Sequence, residues 1–300
     1  TECSTWNTYG SCTKLWHCFQ PPIPIFLPAT NRNTKTMGRI IAVANQKGGV
    51  GKTTTAINLA ASLAAAEVNT LLVDCDPQSN STSGLGLAKN PERISVYDVM
   101  MGSASAEEAL QLTELEQLWL IPSHKNLIGA NLELVAAERR EFRLRDALAG
   151  LLDRFQFIVL DCPPALDLLT LNALVAADGV LIPMQAEYFA LEGVSELLDT
   201  IERIRGALNP TLAVEGVVLT MFDERTNLAQ QVADELKKYF GDKLLTTAIP
   251  RNIRLAEAPS HGQPALLYDV RSRGAESYIR LAKELLERQV GAARGPGEAA

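Results

Sequence analysis

Asn45-Gln46-Lys47-Gly48-Gly49-Val50-Gly51-Lys52-Thr53-Thr54-Thr55 is the stretch on which the reading of this chain turns. An apolar, β-prone run, Ile40-Ile41-Ala42-Val43-Ala44, precedes it, and a helix-like stretch from Ala56 to Ala64 follows. Strand, glycine loop and helix in that order make a phosphate cradle. The glycines let the backbone bend so that several N–H groups point into one concavity. The helix N-terminus adds the positive end of its dipole. In such a loop Lys52 reaches the β- and γ-phosphates and the Thr53 hydroxyl ligates Mg²⁺.

The loop departs from the strict pattern G-x-x-x-x-G-K-[ST] at one place: position 46 is Gln46 instead of glycine. It also carries a second lysine, Lys47. Lys52 already serves the phosphates of its own site, so Lys47 needs another job.

Around this motif, short apolar runs alternate with helical patterns. The runs Ile40–Asn45, Thr70–Asp74, Leu118–Pro122, Phe157–Asp161, Gly179–Pro183, Gly216–Thr220 and Leu244–Ile249 read as strands. Nearly continuous apolar character suits strands of a parallel sheet covered on both faces. Leu132–Leu152, Leu191–Leu208, Leu228–Phe240 and Glu276–Val290 read as helices. The alternation predicts one α/β domain with a doubly wound, mostly parallel sheet, and ligands in such sheets bind at the carboxyl ends of the strands. Two further segments sit at such ends. Leu71-Leu72-Val73-Asp74-Cys75-Asp76-Pro77-Gln78 leaves a strand for a Ser/Asn-rich loop that continues to Gly84-Leu85-Gly86. Phe157-Ile158-Val159-Leu160-Asp161-Cys162-Pro163-Pro164 ends four apolar residues on an aspartate. A carboxylate in either place supports Mg²⁺ or orients water beside a γ-phosphate.

Composition narrows the remaining choices. Of 300 residues, 47% are hydrophobic and 21% charged, which is ordinary for a globular chain with a large core. No apolar run approaches the ~18 to 20 residues that cross a bilayer. The formal net charge of −7 gives no global attraction to nucleic acid, so any such contact needs a local basic patch. Three of the five cysteines, Cys3, Cys12 and Cys18, precede residue 19, and the rest of the chain holds only Cys75 and Cys162. That is not a secreted disulfide framework, and Cys75 and Cys162 read as small, partly buried packing residues. Residues 1–36, with Trp6, Trp16, His17 and four prolines, show no period and read as an irregular leader, either disordered or an over-extended start. A zinc-binding arm built on Cys3, Cys12, Cys18 and His17 is the alternative, although its spacing fits no common zinc pattern. The patterned domain runs from Met37 to Val290, and residues 291–300 read as a flexible tail.

Gln46–Thr55, Asp74-Cys75-Asp76-Pro77-Gln78 and Asp161-Cys162-Pro163-Pro164 together resemble the three nucleotide motifs of the ParA/Soj chromosome-partitioning ATPases, within the ParA/MinD group of deviant Walker A P-loop proteins. The likeness continues through Leu169–Leu174, Gln185–Gly193, Leu219–Asp223, Pro250-Arg251-Asn252 and Glu257–Gly262, and spans about Gly38 to Leu286. It implies ATP and Mg²⁺ as cofactors. Gly48, Gly49, Val50, Gly51, Lys52, Thr53 and Thr54 would hold the phosphates, with Thr54 at the α-phosphate. Lys47 would cross to the nucleotide of a partner subunit, Asp76 would help activate the hydrolytic water, and Asp161 would support Mg²⁺ with Thr53. Met221 and Pro250 would lie near the adenine.

The resemblance further implies a weak ATPase that dimerises with ATP and binds DNA without sequence preference. It would be nucleoid-associated in the cytoplasm and stimulated by a ParB-type partner. Arg225, Arg251, Arg254 and Arg273 are the arginines selected for DNA contact, because phosphate binding needs several cations on one face. A MinD-like membrane-cycling ATPase is the alternative. It calls for a basic amphipathic C-terminal helix, and this chain ends Gly291-Ala292-Ala293-Arg294-Gly295-Pro296-Gly297, poor membrane material.

Overall fold

A computed structural model describes residues 38–187 and 190–293. The expectations for residues 1–36, including the zinc arm, and for residues 294–300 of the tail lie outside the described residues. So do Tyr188 and Phe189 of the motif that runs through Gln185–Gly193.

In chain order the elements are β1 (Arg39–Val43), α1 (Lys52–Ala65), β2 (Thr70–Asp74), α2 (Asn80–Gly84), α3 (Val96–Met101), β3 (Gln111–Leu112), β4 (Leu118–Ile121), α4 (Ala130–Glu133) and α5 (Arg143–Leu148). They continue with β5 (Phe157–Asp161), α6 (Leu168–Ala176), β6 (Gly179–Gln185), α7 (Ala190–Ala207), β7 (Ala213–Thr220), α8 (Asn227–Phe240), α9 (Ile253–Glu257), α10 (Ala265–Tyr268) and α11 (Arg273–Ala293). The strands form one sheet in the order β3-β4-β2-β5-β1-β6-β7. Every pairing is parallel except β3 with β4. This is the doubly wound, mostly parallel α/β architecture that the alternation predicts.

The continuous apolar runs are explained by two cores, one on each face of the sheet. Successive side chains of a strand point to opposite faces. In β1, Ile40 and Ala42 join the core beneath α3 and α5 to α8, while Ile41 and Val43 join the core beneath α1, α10 and α11. In β5, Ile158 and Leu160 face the first core and Phe157 and Val159 the second. Helix α1 is the centre of the second core. Ile57, Leu59 and Leu63 are 0–1% exposed, and burying each contributes roughly 1.5–3 kcal/mol. Its partner α11 buries Tyr278, Leu281 and Leu285 against it, and Thr55 Oγ1 and Tyr278 Oη share a hydrogen bond of 3.1 Å. The helix that follows the phosphate loop is therefore firmly mounted. The buried apolar residues of α11, Tyr278, Leu281 and Leu285, are thus engaged with α1 and the second core. Among the described residues no helix is long and apolar enough to cross a membrane.

Three local expectations are corrected and one strand is added. Leu244–Ile249 does not form a strand, although it runs beside β7. Leu245 N donates to Val217 O at 2.9 Å and Ile249 N to Leu219 O at 2.8 Å. Between them, the Thr246 and Thr247 N–H groups turn to the Glu284 carboxylate of α11 at 2.8 and 2.9 Å, which interrupts the ladder. The stretch Leu132–Leu152 is not one helix. It breaks after α4, passes Arg139 at φ 52° and resumes at α5. Asn172 of α6 takes the backbone groups a continuous helix would have used, donating to Arg140 O at 2.9 Å and accepting from Leu144 N at 3.2 Å. The Ser/Asn-rich loop after Asp76 contains the short helix α2. The two-residue edge strand β3 carries no alternation long enough to be read from sequence.

Candidate active site

The carboxyl ends of β1, β2 and β5 stand side by side, because β5 lies between the other two. The register pairs Val43 with Asp161 and Asp161 with Asp74, so both aspartates sit at the level where β1 gives way to the glycine loop. The loop turns through Gly49 at φ 75° and Gly51 at φ 85°, conformations that side chains with a Cβ rarely adopt. Its shape is fixed from outside. Asn45 Nδ2 donates to Pro183 O at 2.8 Å and Asn45 Oδ1 accepts from Lys47 N at 2.9 Å. Thr220 Oγ1, at the end of β7, donates to Val50 O at 2.8 Å.

Hydrogen bonding gives the three carboxylates different capacities. Asp74 is fully buried and fully engaged: Oδ2 accepts from the Thr82 N–H at 2.8 Å and hydroxyl at 2.7 Å, and Oδ1 accepts from Asp76 N at 3.2 Å. It shapes the segment that carries its neighbours. Asp76 Oδ1 accepts from Gln78 N at 2.8 Å, and its Oδ2 takes no hydrogen bond from the described residues. Ser123 Oγ, beyond β4, fixes the Asp76 carbonyl at 2.8 Å. Asp161 Oδ2 accepts from Ser81 Oγ at 2.7 Å. Asp161 Oδ1 is buried without a partner, as are Ser62 Oγ, Asn131 Oδ1 and Arg143 Nε elsewhere among the described residues. It is the one of these four that belongs to this site, and an orphaned carboxylate oxygen calls for a missing ligand.

The electrostatics agree with that arrangement. Burial pushes the Asp161 carboxyl above the usual carboxylate range and nearby Asp74 pushes it further, while Ser81 and the neighbouring Thr53 hydroxyl favour the ionised form. Asp74 is likewise raised by burial, against the pull of Thr82. Lys52 is 8% exposed. Burial lowers its pKa, and Asp161, Cys162 and Asp76 oppose that effect. A dry pocket with two raised carboxyls and one depressed ammonium is prepared for added charge of both signs. A hydroxyl at Thr53 and a bare oxygen at Asp161 are hard donors that fit Mg²⁺, which commonly takes one or two protein groups and completes its shell with phosphates and water.

Other expected residues also come together. Phe222 bridges to Pro250, and Phe222 N donates to Ile249 O at 2.9 Å, so Met221 and Pro250 lie on adjoining segments. Met221 takes φ 50°, and its Sδ lies 2.9 Å from Gln185 Nε2. Lys52 Nζ donates to Lys47 O at 2.9 Å, and the Lys47 ammonium pairs with Glu187. Cys75 and Cys162 are free and buried, and burial raises both thiols, as befits packing residues. Sequence reasoning gave no role to Ser81, Thr82 or Ser123, and none to Gln185 and Thr220 beyond their place in the motifs Gln185–Gly193 and Leu219–Asp223. Their signal was weak, because each acts only after distant strand ends have met.

The four chosen arginines follow the same segments outward. Arg225 grips Asp223 with two bonds of 2.7 and 2.8 Å, and Asp223 is pushed down to about 2, first by Arg225 and also by Arg251. Arg254 pairs with Glu257 at 2.8 Å and Asp269 at 3.3 Å. Arg251 and Arg273 are exposed and form no ion pair among the described residues. Arg273 opens α11 where Gly274 packs so closely on Leu255 of α9 that an added Cβ would lie 2.7 Å from Leu255 Cγ. Gly86 and Gly262, at φ 81° and 68°, likewise meet with no room for a side chain, which joins the two glycine-bearing motifs beyond Asp76 and α9.

A family model described as "AAA domain" matches residues 38–214. The chain is 53% identical over 257 residues to "Chromosome partitioning protein ParA" of Myxococcus xanthus (strain DK1622), covering 86% of this chain and 91% of that protein. It is 54% identical over 249 residues to "Sporulation initiation inhibitor protein Soj" of Bacillus subtilis (strain 168), covering 83% and 98%. Among solved structures, cobyrinic acid a,c-diamide synthase from Mycobacterium smegmatis with bound ATP analog and magnesium superposes with a TM-score of 0.75. It is 35% identical, over 85% of this chain and 97% of that one.

Proposed function

The chain belongs to the ParA/Soj family of chromosome-partitioning P-loop ATPases, and from that premise we propose that it hydrolyses ATP as a nucleotide-switched homodimer. The dimer binds DNA without sequence preference and drives chromosome or plasmid partitioning with a ParB-type partner, which stimulates a weak intrinsic activity. The observation that carries the catalytic part is the division of labour among the three carboxylates: Asp74 is fully hydrogen-bonded, Asp76 commits Oδ1 to Gln78 N, and Asp161 Oδ1 is buried without a hydrogen-bond partner next to the Thr53 hydroxyl.

In this reading the backbone of Gly48–Gly51 and the α1 N-terminus cradle the phosphates, Thr54 meets the α-phosphate, and Lys52 leaves the Lys47 carbonyl for the β- and γ-oxygens. Met221 and Pro250 border the adenine. Thr53 and Asp161 hold Mg²⁺, which when bound neutralises charge on the β- and γ-phosphates. Asp76 orients the attacking water through Oδ2, its other oxygen being occupied by Gln78 N. Asp74 touches none of these groups and positions Asp76 and Ser81. Lys47 reaches the nucleotide of the second subunit.

The DNA-binding part of the reading is supported by the placement of the arginines. The segments bordering the adenine continue directly into Asp223–Arg225 and Arg251, and α9 carries Arg254 against the start of α11 with Arg273. Closing two such surfaces side by side doubles the cations facing one duplex, so affinity depends on ATP. Sedimentation velocity tests the proposal. Wild type should be a monomer with ADP and a dimer with ATP. Lys47→Ala should bind ATP and stay monomeric, and Asp76→Ala should accumulate as an ATP-bound dimer. A wild-type monomer at saturating ATP refutes the reading.

A further inference from the structure

Lys47 is engaged within its own chain. Its ammonium lies 2.5 Å from Glu187 Oε2, and the two side chains are 43% and 52% exposed. Glu187 stands just beyond Gln185, the last residue of β6. That strand end holds the loop at a second point, because Gln185 Nε2 donates to Gly49 O at 3.3 Å. Earlier along the same pairing Ala44 N donates to Leu181 O at 3.2 Å. The path from β1 into the loop is thus registered against β6 by its backbone, and Glu187 closes the series by pairing with the Lys47 ammonium, which has no role in its own phosphate site.

We propose that Glu187 is the positioning residue of Lys47: it parks the ammonium against its own subunit until the polyphosphate of a second subunit takes it. The inference rests on the trans role proposed for Lys47. Two features of the pair suit a latch. Both groups are about half exposed, so water and salt screen their attraction and the pair is weak enough to release. The competing ligand carries several negative oxygens in one place where Glu187 offers a single carboxylate, so the exchange favours the nucleotide once two subunits meet. A protein whose competent arrangement is only part of its population binds its partner with reduced apparent affinity, and removing the competing arrangement restores it.

A water-soluble carbodiimide tests the pair in the full chain, since it condenses a carboxylate with an amine in contact. Without nucleotide it should join Lys47 to Glu187 within one chain, read by mass spectrometry of the digest and by a monomer-sized band on a denaturing gel. A slowly hydrolysed ATP analogue should suppress that intrachain link as sedimentation reports dimer. In parallel, Glu187→Gln should lower the ATP concentration for half-maximal dimerisation about two- to fivefold with an unchanged melting temperature. A variant that merely damaged the loop would raise that concentration. Three results overturn the inference: no intrachain link without nucleotide, a link that persists in the dimer, or an unchanged or higher ATP requirement in Glu187→Gln. Failure of the underlying reading is distinguishable, because then sedimentation finds no dimer at any ATP concentration.

Discussion

The carboxylate cluster and the arginine segments treat charge in opposite ways. Asp74 and Asp161 are 0% exposed and Asp76 and Lys52 8%. They are fixed by donors from α2, from the segment after β4 and from one another. The Arg225 side chain is 88% exposed and tied only to Asp223, two positions away in the chain. Burial costs the first group its hydration and raises two carboxyls, and in return fixed groups act in a medium of low dielectric where they need no rearrangement. The second group keeps its water and gains no preorganisation, so its attraction to phosphate is screened by salt and shared with neighbouring acids. A region that must do chemistry is rigid and locally strained in its ionisation. The segments proposed to grip and release a polyanion are exposed and only partly neutralised.

Lys52→Ala should give the largest effect and the sharpest contrast. It removes the only ammonium in the buried cluster, and charge-assisted hydrogen bonds contribute roughly 1.5–3 kcal/mol each. Two lost phosphate contacts predict a fall in ATP affinity of at least about 100-fold by calorimetry, with the melting temperature nearly unchanged. Undiminished affinity would mean the cluster is not the phosphate site.

Asp161→Asn should separate stability from function. Burial and Asp74 raise the Asp161 pKa, so the folded chain holds a proton that the unfolded chain has lost. Stability from this group is full below the ordinary carboxylate range and is lost as pH rises through the raised value. Wild type without Mg²⁺ should therefore melt lower as pH climbs toward neutral and beyond. Asparagine keeps an acceptor for Ser81 and carries no charge, so the variant should show a shallower slope, the share from Asp74 remaining, and melt about 2–6 °C higher at mildly alkaline pH. Added Mg²⁺ should stabilise wild type and leave the variant unmoved. A variant less stable than wild type across the range would contradict the orphaned-oxygen argument.

The same contrast explains what could be read from sequence. Gly48 to Thr55, Asp76 and Asp161 are legible because strand, loop and helix lie within one stretch and apolar runs end on aspartate. The two-core sheet is legible because runs such as Phe157-Ile158-Val159-Leu160 have no polar face to spare. The support around them was hidden. Thr82 and Ser81 look like loop residues until α2 brings them to β2 and β5, and Glu284 reads as a solvated helix residue until it takes two N–H groups from a would-be strand. The arginines were visible as cations, but their pairing depends on turns and short helices no period announces.

That pairing ranks the arginines. Arg273 has no ion-pair partner among the described residues, whereas Arg225 shares its charge with Asp223. A dimer lacking one phosphate contact per subunit loses about two, so Arg273→Ala should flatten the slope of log affinity against log salt by about 1.8. Arg225→Ala should flatten it by less than half as much. Fluorescence anisotropy with a random-sequence duplex at several salt concentrations reads both, and equal slopes would mean that the Asp223 pair opens freely on DNA.

The smallest effect probes Asp223 itself. Its carboxylate accepts from the Arg225 backbone N–H at 3.1 Å as well as from the guanidinium, so Asp223→Asn keeps an oxygen for the turn while removing the charge. Arg225 should then face DNA unneutralised, and each dimer should offer two more effective cations. The salt slope should steepen by up to about 1.8, with a few-fold gain in affinity at moderate salt. ATP affinity should not change, although Met221 and Phe222 lie immediately before this residue, because the backbone bonds of Phe222 to Ile249 do not involve the carboxylate. A steeper slope with unchanged ATP binding would show that the arginine segments can be tuned without touching the buried site. An unaltered slope would place the Arg225–Asp223 pair off the DNA path and leave Arg251 and Arg273 as the contacts to test.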